Sequence, residues 1–383
     1  MAFLLLDNTA AQGGLETDER LPDNAALIVL SEFFVSRRLT LYLAVVLIAI
    51  AAMLSSLHSA AHAESPAKKA EQIRGFSIQL TDPNGRDAYI KALDDLADMG
   101  CTWVNFAIAA RQENTKSESI SIVWQNLPSQ KDIEQILRHA RARGMNTMLM
   151  PIVLLNKAGT KEWRGVIAPN NWDNWFASYT QYITFMAKLA KNCDVPLFCV
   201  GSELLSTESF RDRWAEVIAQ IKQHYHGLLT YSANWDHYDD AHGGPKFWDL
   251  VDYIGMNNYN ELADKPGATV KQLNKAWEPI KKNILDFVQK RKQPFFFTEV
   301  GWHNLENTIN QPWNYVAEGA INHDEQLHAY ESFVDTWSSV PPSQCMGAFV
   351  WEWKPGSKPE DHGTYSLQGT PALEVVKIWM QRR

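Results

Sequence analysis

From Ile73 to the C-terminus, short apolar runs alternate with longer stretches whose apolar positions recur every three or four residues, the pattern of strands followed by amphipathic helices. Ile73–Leu80 predicts a first strand, and Arg86–Met99 predicts a helix with Ile90, Leu93, Leu96 and Ala97 on one stripe, stopped by Gly100. Further strands are expected at Thr102–Ala109, Asn146–Leu154, Leu197–Val200, Leu228–Ser232, Tyr253–Met256, Phe295–Thr298 and Met346–Trp351. Helices at Lys131–Arg143, Trp172–Ala190, Phe210–Tyr225, Val270–Arg291, Asp324–Ser338 and Ala372–Arg382 punctuate them. Only a loop and a short helix around Phe247-Trp248 separate the fifth strand from the sixth. Such alternation implies a parallel sheet with helices outside, and eight units without a Pro-, Ser- or Gly-rich break predict a single (β/α)8 TIM barrel over residues 73–383. An open doubly wound sheet shares the alternation, but no Gly-rich phosphate loop follows the first strand.

The segment before the barrel has a different pattern. Leu39–Leu54 is apolar apart from Thr40 and Tyr42, follows Arg37-Arg38 and precedes Ala61-His62-Ala63. A basic start, an apolar run and a small-x-small site make residues 1–63 a leader, with 64–72 a polar linker. Two readings stand: a cleaved signal peptide, or an uncleaved anchor attaching the chain to a membrane through 39–57. Both place the barrel outside the cytoplasm, in the periplasm or beyond. Residues 1–34 are acidic, the wrong sign for the cytoplasmic side of an exported segment, which suggests a true start near Val35.

Composition narrows the partners. The 383 residues carry a formal net charge of −8 with no long basic run, so nucleic acid is not an expected partner. The four cysteines show no CxxC spacing and read as small buried hydrophobes, with pairing of Cys193 the lesser alternative. All 15 Trp lie after residue 100; excess Trp can be core, but Trp near loop ends also stacks on sugar rings.

Barrel sites form at the C-terminal ends of the strands. Those ends supply Gln79, Asp82, Arg111, Gln112, Ser202, Glu203, Asn234, Trp235, His237, Asn257, Tyr259, Glu299, Trp302, His303, Trp351, Glu352 and Trp353, an acidic, amide-rich and aromatic set. There is no nucleophile elbow and no phosphate cradle, and no cofactor is expected. Phe295-Phe296-Phe297-Thr298-Glu299 is an apolar run that ends by delivering a carboxylate, and Leu197 to Glu203 has the same construction. Burying such a group costs several kcal/mol unless it is used or paired. Glu203 on strand four and Glu299 on strand seven would face each other across the barrel, as retaining glycoside hydrolysis requires; the bland alternative is two strand-end acids in unrelated ion pairs. Asp236-His237-Tyr238-Asp239-Asp240-Ala241-His242 contains metal-ligand types but reads as a polar rim loop, and no metal is expected. His303 is a candidate substrate contact, Arg111 could orient a carboxylate, and Glu352 is expected to turn away if both Trp351 and Trp353 face a sugar.

Gly201-Ser202-Glu203-Leu204, Tyr231-Ser232-Ala233-Asn234-Trp235, Asp252-Tyr253-Ile254-Gly255-Met256-Asn257-Asn258-Tyr259 and Thr298-Glu299-Val300-Gly301, with the Trp-rich eighth strand, resemble glycoside hydrolase family 113. Trp163-Arg164-Gly165, Pro312-Trp313-Asn314 and Gly369-Thr370-Pro371-Ala372 extend the likeness over about residues 73–380. The resemblance implies a retaining, β-mannanase-like enzyme with Glu203 as acid/base and Glu299 as nucleophile. It also implies that Tyr259 holds the nucleophile by a hydrogen bond, and that Trp235, Trp313 and Trp351 or Trp353 are sugar platforms. One departure concerns the sugar. The clan commonly has Asn directly before its acid/base, reaching the 2-hydroxyl, and here Ser202 stands there. Mannan preference is therefore carried by the resemblance rather than by these residues. Two rivals remain: a catalytically idle carbohydrate-binding barrel, and an anchored glycosidase tailoring the cell's own exopolysaccharide.

Overall fold

A computed structural model of the chain describes residues 72–382. The leader at 1–63 and most of the linker lie outside the described residues, and so does the segment 39–57. Among the described residues, no helix is long and apolar enough to cross a membrane.

Eight parallel strands close on one another: β1 (Ile73–Gln79), β2 (Trp103–Gln112), β4 (Asn146–Leu155), β5 (Leu197–Ser202), β6 (Leu228–Ala233), β7 (Tyr253–Asn258), β8 (Phe295–Val300) and β9 (Cys345–Val350). The ring is sealed by β1 pairing with both β2 and β9. β3 (Ile120–Ser121) is an added two-residue strand, antiparallel to the end of β2. The fourth and seventh barrel strands are therefore β5 and β8.

Among the described residues, seven helices lie outside: α1 (Arg86–Met99), α2 (Gln130–Ala142), α3 (Trp172–Asn192), α4 (Arg211–Lys222), α5 (Val270–Arg291), α6 (His323–Trp337) and α7 (Pro371–Gln381). Between β6 and β7 there is only the 3-10 turn Trp248–Leu250. Local chemistry sets their ends. Ser129, Asn171 and Asn322 accept backbone N–H groups at the starts of α2, α3 and α6, and Thr269 forms a capping box with Gln272 at α5.

The core has two layers. Inside the barrel, Trp103, Met148, Met150, Cys199, Phe296 and Phe349 fill the lumen. Outside, alternate strand residues such as Phe76, Phe198, Phe295 and Phe297 pack against the helices. All four cysteines are buried and free, so Cys193 makes no disulfide. The Trp excess is mostly packing: Trp175, Trp214, Trp248, Trp277 and Trp302 are fully buried, whereas Trp313 is 46% exposed.

Candidate active site

Both carboxylates are placed by an irregularity in their own strand. On β5, Cys199 pairs with Thr230 and Ser202 with Ser232, so β5 carries one residue more than β6 over that step. On β8, Phe297 pairs with Met256 but Glu299 with Asn257, again one extra residue. Each bulge breaks the two-residue period just before the acid and re-aims the residues beyond it. Thr298 stays inward, its hydroxyl 2.5 Å from that of Ser232, and Glu299 also faces inward beside Asn257. At the end of β5, Glu203 adopts φ of 52°, and its N–H donates to the Ser232 carbonyl at 2.9 Å. A non-glycine residue in that region is uncommon and is kept by the surrounding structure.

The glycines flanking these acids leave room for aromatic neighbours. A Cβ at Gly201 would lie 2.9 Å from the Trp214 ring and the Tyr179 hydroxyl. At Gly301 it would meet the Trp351 carbonyl at 2.7 Å and the Tyr365 ring at 3.0 Å.

Glu203 and Glu299 are 6% and 4% exposed, and each is held by its own hydrogen bonds. Arg164 Nη2 lies 2.5 Å from Glu203 Oε2, and Asn257 Nδ2 donates to Glu203 Oε1. The Asn257 side chain also accepts from Trp235 N at 2.7 Å and donates to Asn234 Oδ1 at 3.0 Å. Tyr259 donates its hydroxyl to Glu299 Oε2 at 2.8 Å. Burial first, and the Glu203 charge second, push Glu299 up to about 8, opposed by Arg164 and by the Tyr259 hydrogen bond. Glu299 is thereby held toward its protonated form at neutral pH, while Arg164 pairs with Glu203. Behind them, Glu208 is fully buried, accepts from the Tyr231 hydroxyl at 2.7 Å and is pushed up to about 8, chiefly by burial.

The remaining expected residues divide. Trp351 is half-buried against the luminal cluster, and Trp235 is half-buried beside Asn257. Trp313 is exposed on the loop after β8, next to Pro312, whose carbonyl accepts from the Tyr365 hydroxyl at 2.5 Å. Ser202 is buried, and its hydroxyl makes no hydrogen bond. Trp353 does not suit a platform: it is 6% exposed, sits in the outer packing layer and meets Phe76 edge-on at 5.4 Å. Nor does His303 reach an open cleft. It is 1% exposed, accepts from Leu305 N at 3.3 Å and lies edge-on to Tyr365 at 5.7 Å, with burial holding its pKa low.

Glu352 also departs from expectation. It accepts from Gln79 Nε2 at 2.8 Å on the luminal side of β1, and its charge raises Glu299. Strand alternation does not govern it, because β9 ends at Val350. In the Asp236–His242 loop, Asp236 pairs with His237 at 3.0 Å and Asp239 with His242 at 2.6 Å. Among the described residues, no group of three or more His, Cys, Asp and Glu is arranged to hold a metal ion.

Sequence reasoning gave Arg164 and Glu208 no part at the acids. Arg164 belongs to the loop between β4 and α3, and its reach to Glu203 has no periodic signature. Glu208, five residues after Glu203 in an acidic, polar stretch, could have been flagged only by asking what partners it had.

Comparison with known proteins agrees with this geometry. The family model of glycoside hydrolase family 113 matches residues 84–368. A solved complex of a GH113 β-1,4-mannanase is 26% identical, with a TM-score of 0.73, covering 82% of this chain and 100% of that one. A second structure of a GH113 β-1,4-mannanase gives 26% identity and 0.72 over the same shares. GH113 β-mannanase AaManA from Alicyclobacillus acidocaldarius, solved with ManMIm, is 27% identical with a TM-score of 0.68, covering 81% of this chain and 97% of that one. No curated protein sequence matches. With the family model spanning most of the barrel and both strand-end glutamates meeting at its mouth, the chain belongs to glycoside hydrolase family 113.

Proposed function

We propose that this protein is a retaining glycoside hydrolase acting on a β-linked, mannan-like polysaccharide or oligosaccharide, with Glu299 as nucleophile and Glu203 as acid/base. The observation that carries it is the shared environment of the two acids. Asn257 is the strand partner of Glu299 and its side chain donates to Glu203, so one residue stands beside both acids. Two buried carboxylates that repel each other across one site are what double displacement needs. The mannan-like substrate is supported by the likeness to the β-mannanases.

In the first step Glu299 attacks the anomeric carbon while Glu203 passes its proton to the departing glycosidic oxygen. In the second, Glu203 takes a proton from water, which displaces Glu299. The attack requires Glu299 ionised, and the Tyr259 hydroxyl and the Arg164 charge both favour that form against burial. Trp351 under the ring at the acids, with Trp235 and Trp313 further out, would supply the stacking surfaces.

We also place the enzyme outside the cytoplasm, on the apolar run Leu39–Leu54 and the small-x-small site at Ala61-His62-Ala63. Cell fractionation with N-terminal sequencing checks this; a barrel recovered only in the cytoplasm with residues 1–63 intact contradicts it. The test of function is hydrolysis of a panel of β-linked polysaccharides, β-1,4-mannan among them, by wild type, Glu203→Ala and Glu299→Ala. Turnover by wild type with loss in both variants is expected. Equal, zero turnover by all three on every polymer would leave the idle binding barrel.

A further inference from the structure

We propose that a cavity between the first two strands receives a carboxylate-bearing sugar unit of the polysaccharide, with Arg111 as its anion anchor. The polymer rests on the glycosidase reading; the charge rests on the geometry around Arg111.

Ala107 and Ala109 of β2 line the barrel lumen, so by strand alternation Arg111 is the next residue on the inward face. It stands at the C-terminal end of the strand, on the face of the barrel that carries Glu203 and Glu299. Beside it lies a cavity of about 250 Å³ lined by Thr81, Ala109, Arg111, Val123, Gln125 and Asn126, among others. Val123, Leu127 and the turn Trp124–Asn126 between them wall one side of it. That is room for one sugar unit, and none of its lining residues is acidic.

The Arg111 guanidinium has no hydrogen-bond or ion-pair partner among the described residues, although its strand is fully paired. Six other arginines, Arg138, Arg141, Arg143, Arg164, Arg211 and Arg291, each meet a carboxylate. The nearest acid in sequence, Glu113, is taken by Lys157 at 2.7 Å, and Asp82 Oδ1 accepts from Asn84 N at 2.9 Å. A half-buried, unpaired guanidinium presents a planar fork of donors suited to a carboxylate. The Gln125 and Asn126 amides can complete the hydrogen bonding of such a group.

The cavity opens from β1 and β2, at the mouth that also carries Glu203 and Glu299. Two sugar types bring a carboxylate there, a hexuronate and a unit carrying a pyruvate ketal.

Binding calorimetry on the full chain with Glu299→Gln, alone and combined with Arg111→Gln or Arg111→Lys, tests the inference without turnover. The probes are three β-linked oligosaccharides of equal length: neutral, uronate-bearing and pyruvylated. At least one acidic probe is expected to bind roughly tenfold or more tighter than the neutral one, and whichever does so identifies the carboxylate's source. Arg111→Gln is expected to bring that ratio to about one, with Arg111→Lys between, since it keeps the charge and loses the fork. Equal binding of all three probes, a preference that survives Arg111→Gln, or no binding of any probe overturns the inference. Hydrolysis separates it from the glycosidase reading: a wild type that prefers an acidic probe through Arg111 and cleaves none keeps the cavity's role and removes the enzyme's.

Discussion

Arg164 Nη2 sits 2.5 Å from Glu203 Oε2, an ion pair with both side chains largely out of water, formed by a loop residue and a strand-end acid. It ties the charge state of the catalytic pair to the loop between β4 and α3. Arg164 also lowers the pKa of Glu299. Removing that positive charge makes ionisation of the buried pair harder, so its macroscopic values rise. Arg164→Met is expected to move the pH profile of kcat/KM toward higher pH by about one unit, and Arg164→Lys by less. A profile unmoved in Arg164→Met would show that the contact has no part in setting the proton.

Tyr259 makes the hydrogen bond to Glu299 Oε2. Because a phenol donating to a developing or leaving carboxylate acts in the transition state, Tyr259→Phe is expected to lower kcat about a hundredfold with KM changed far less. Steady-state kinetics on a soluble β-linked oligosaccharide measures it. A loss confined to KM would assign Tyr259 to ground-state binding alone.

Glu208 gives a stability prediction. Its folded pKa is raised to about 8 from 4.5, so the folded state holds a proton that the unfolded chain has released. Stability from this group is fully present below the unfolded value and declines as pH rises through that window to about 8. Glu208→Gln removes the decline. Thermal unfolding from pH 5 to 9 should show the variant gaining on wild type as pH rises, by about 2 °C or more at the alkaline end. Parallel curves would mean that Glu208 is ionised in the fold.

Trp313 and Trp353 should separate cleanly. Trp313 is 46% exposed and Trp353 only 6%. Trp313→Ala is expected to raise KM roughly fivefold, about 1 kcal/mol of stacking, at unchanged thermal stability. Trp353→Ala leaves a hole against Phe76 and is expected to cost about 3–5 kcal/mol of stability. The reverse outcome, Trp353→Ala raising KM in a fully stable protein, would restore Trp353 as a platform.

The barrel was legible because each strand is a compact apolar run and most helices carry a cap or a glycine stop, both of which are local signals. Glu203 and Glu299 stood out for the same reason, as charges at the ends of such runs. Their actual aim did not, because the extra residue in β5 and in β8 is a relation between neighbouring strands and has no sequence period. Glu352 and Trp353 were misjudged where alternation was carried past Val350, the last strand residue. Arg164 stands within a motif, yet its partner lies 39 positions away and is reached only through the folded loop. Ser202 raised the question of what replaces the expected amide beside the acid/base. Asn257, from β7, brings an amide to Glu203 from the neighbouring side.

The central claim is the division of labour between the two acids. It is tested most directly by azide rescue of Glu299→Ala on an activated aryl β-manno-oligoside. With the nucleophile gone, azide should attack the anomeric carbon from the face Glu299 occupied and give the α-glycosyl azide. The β-azide from this variant, or no azide adduct despite turnover of the same substrate by wild type, would contradict the assignment of Glu299 as nucleophile.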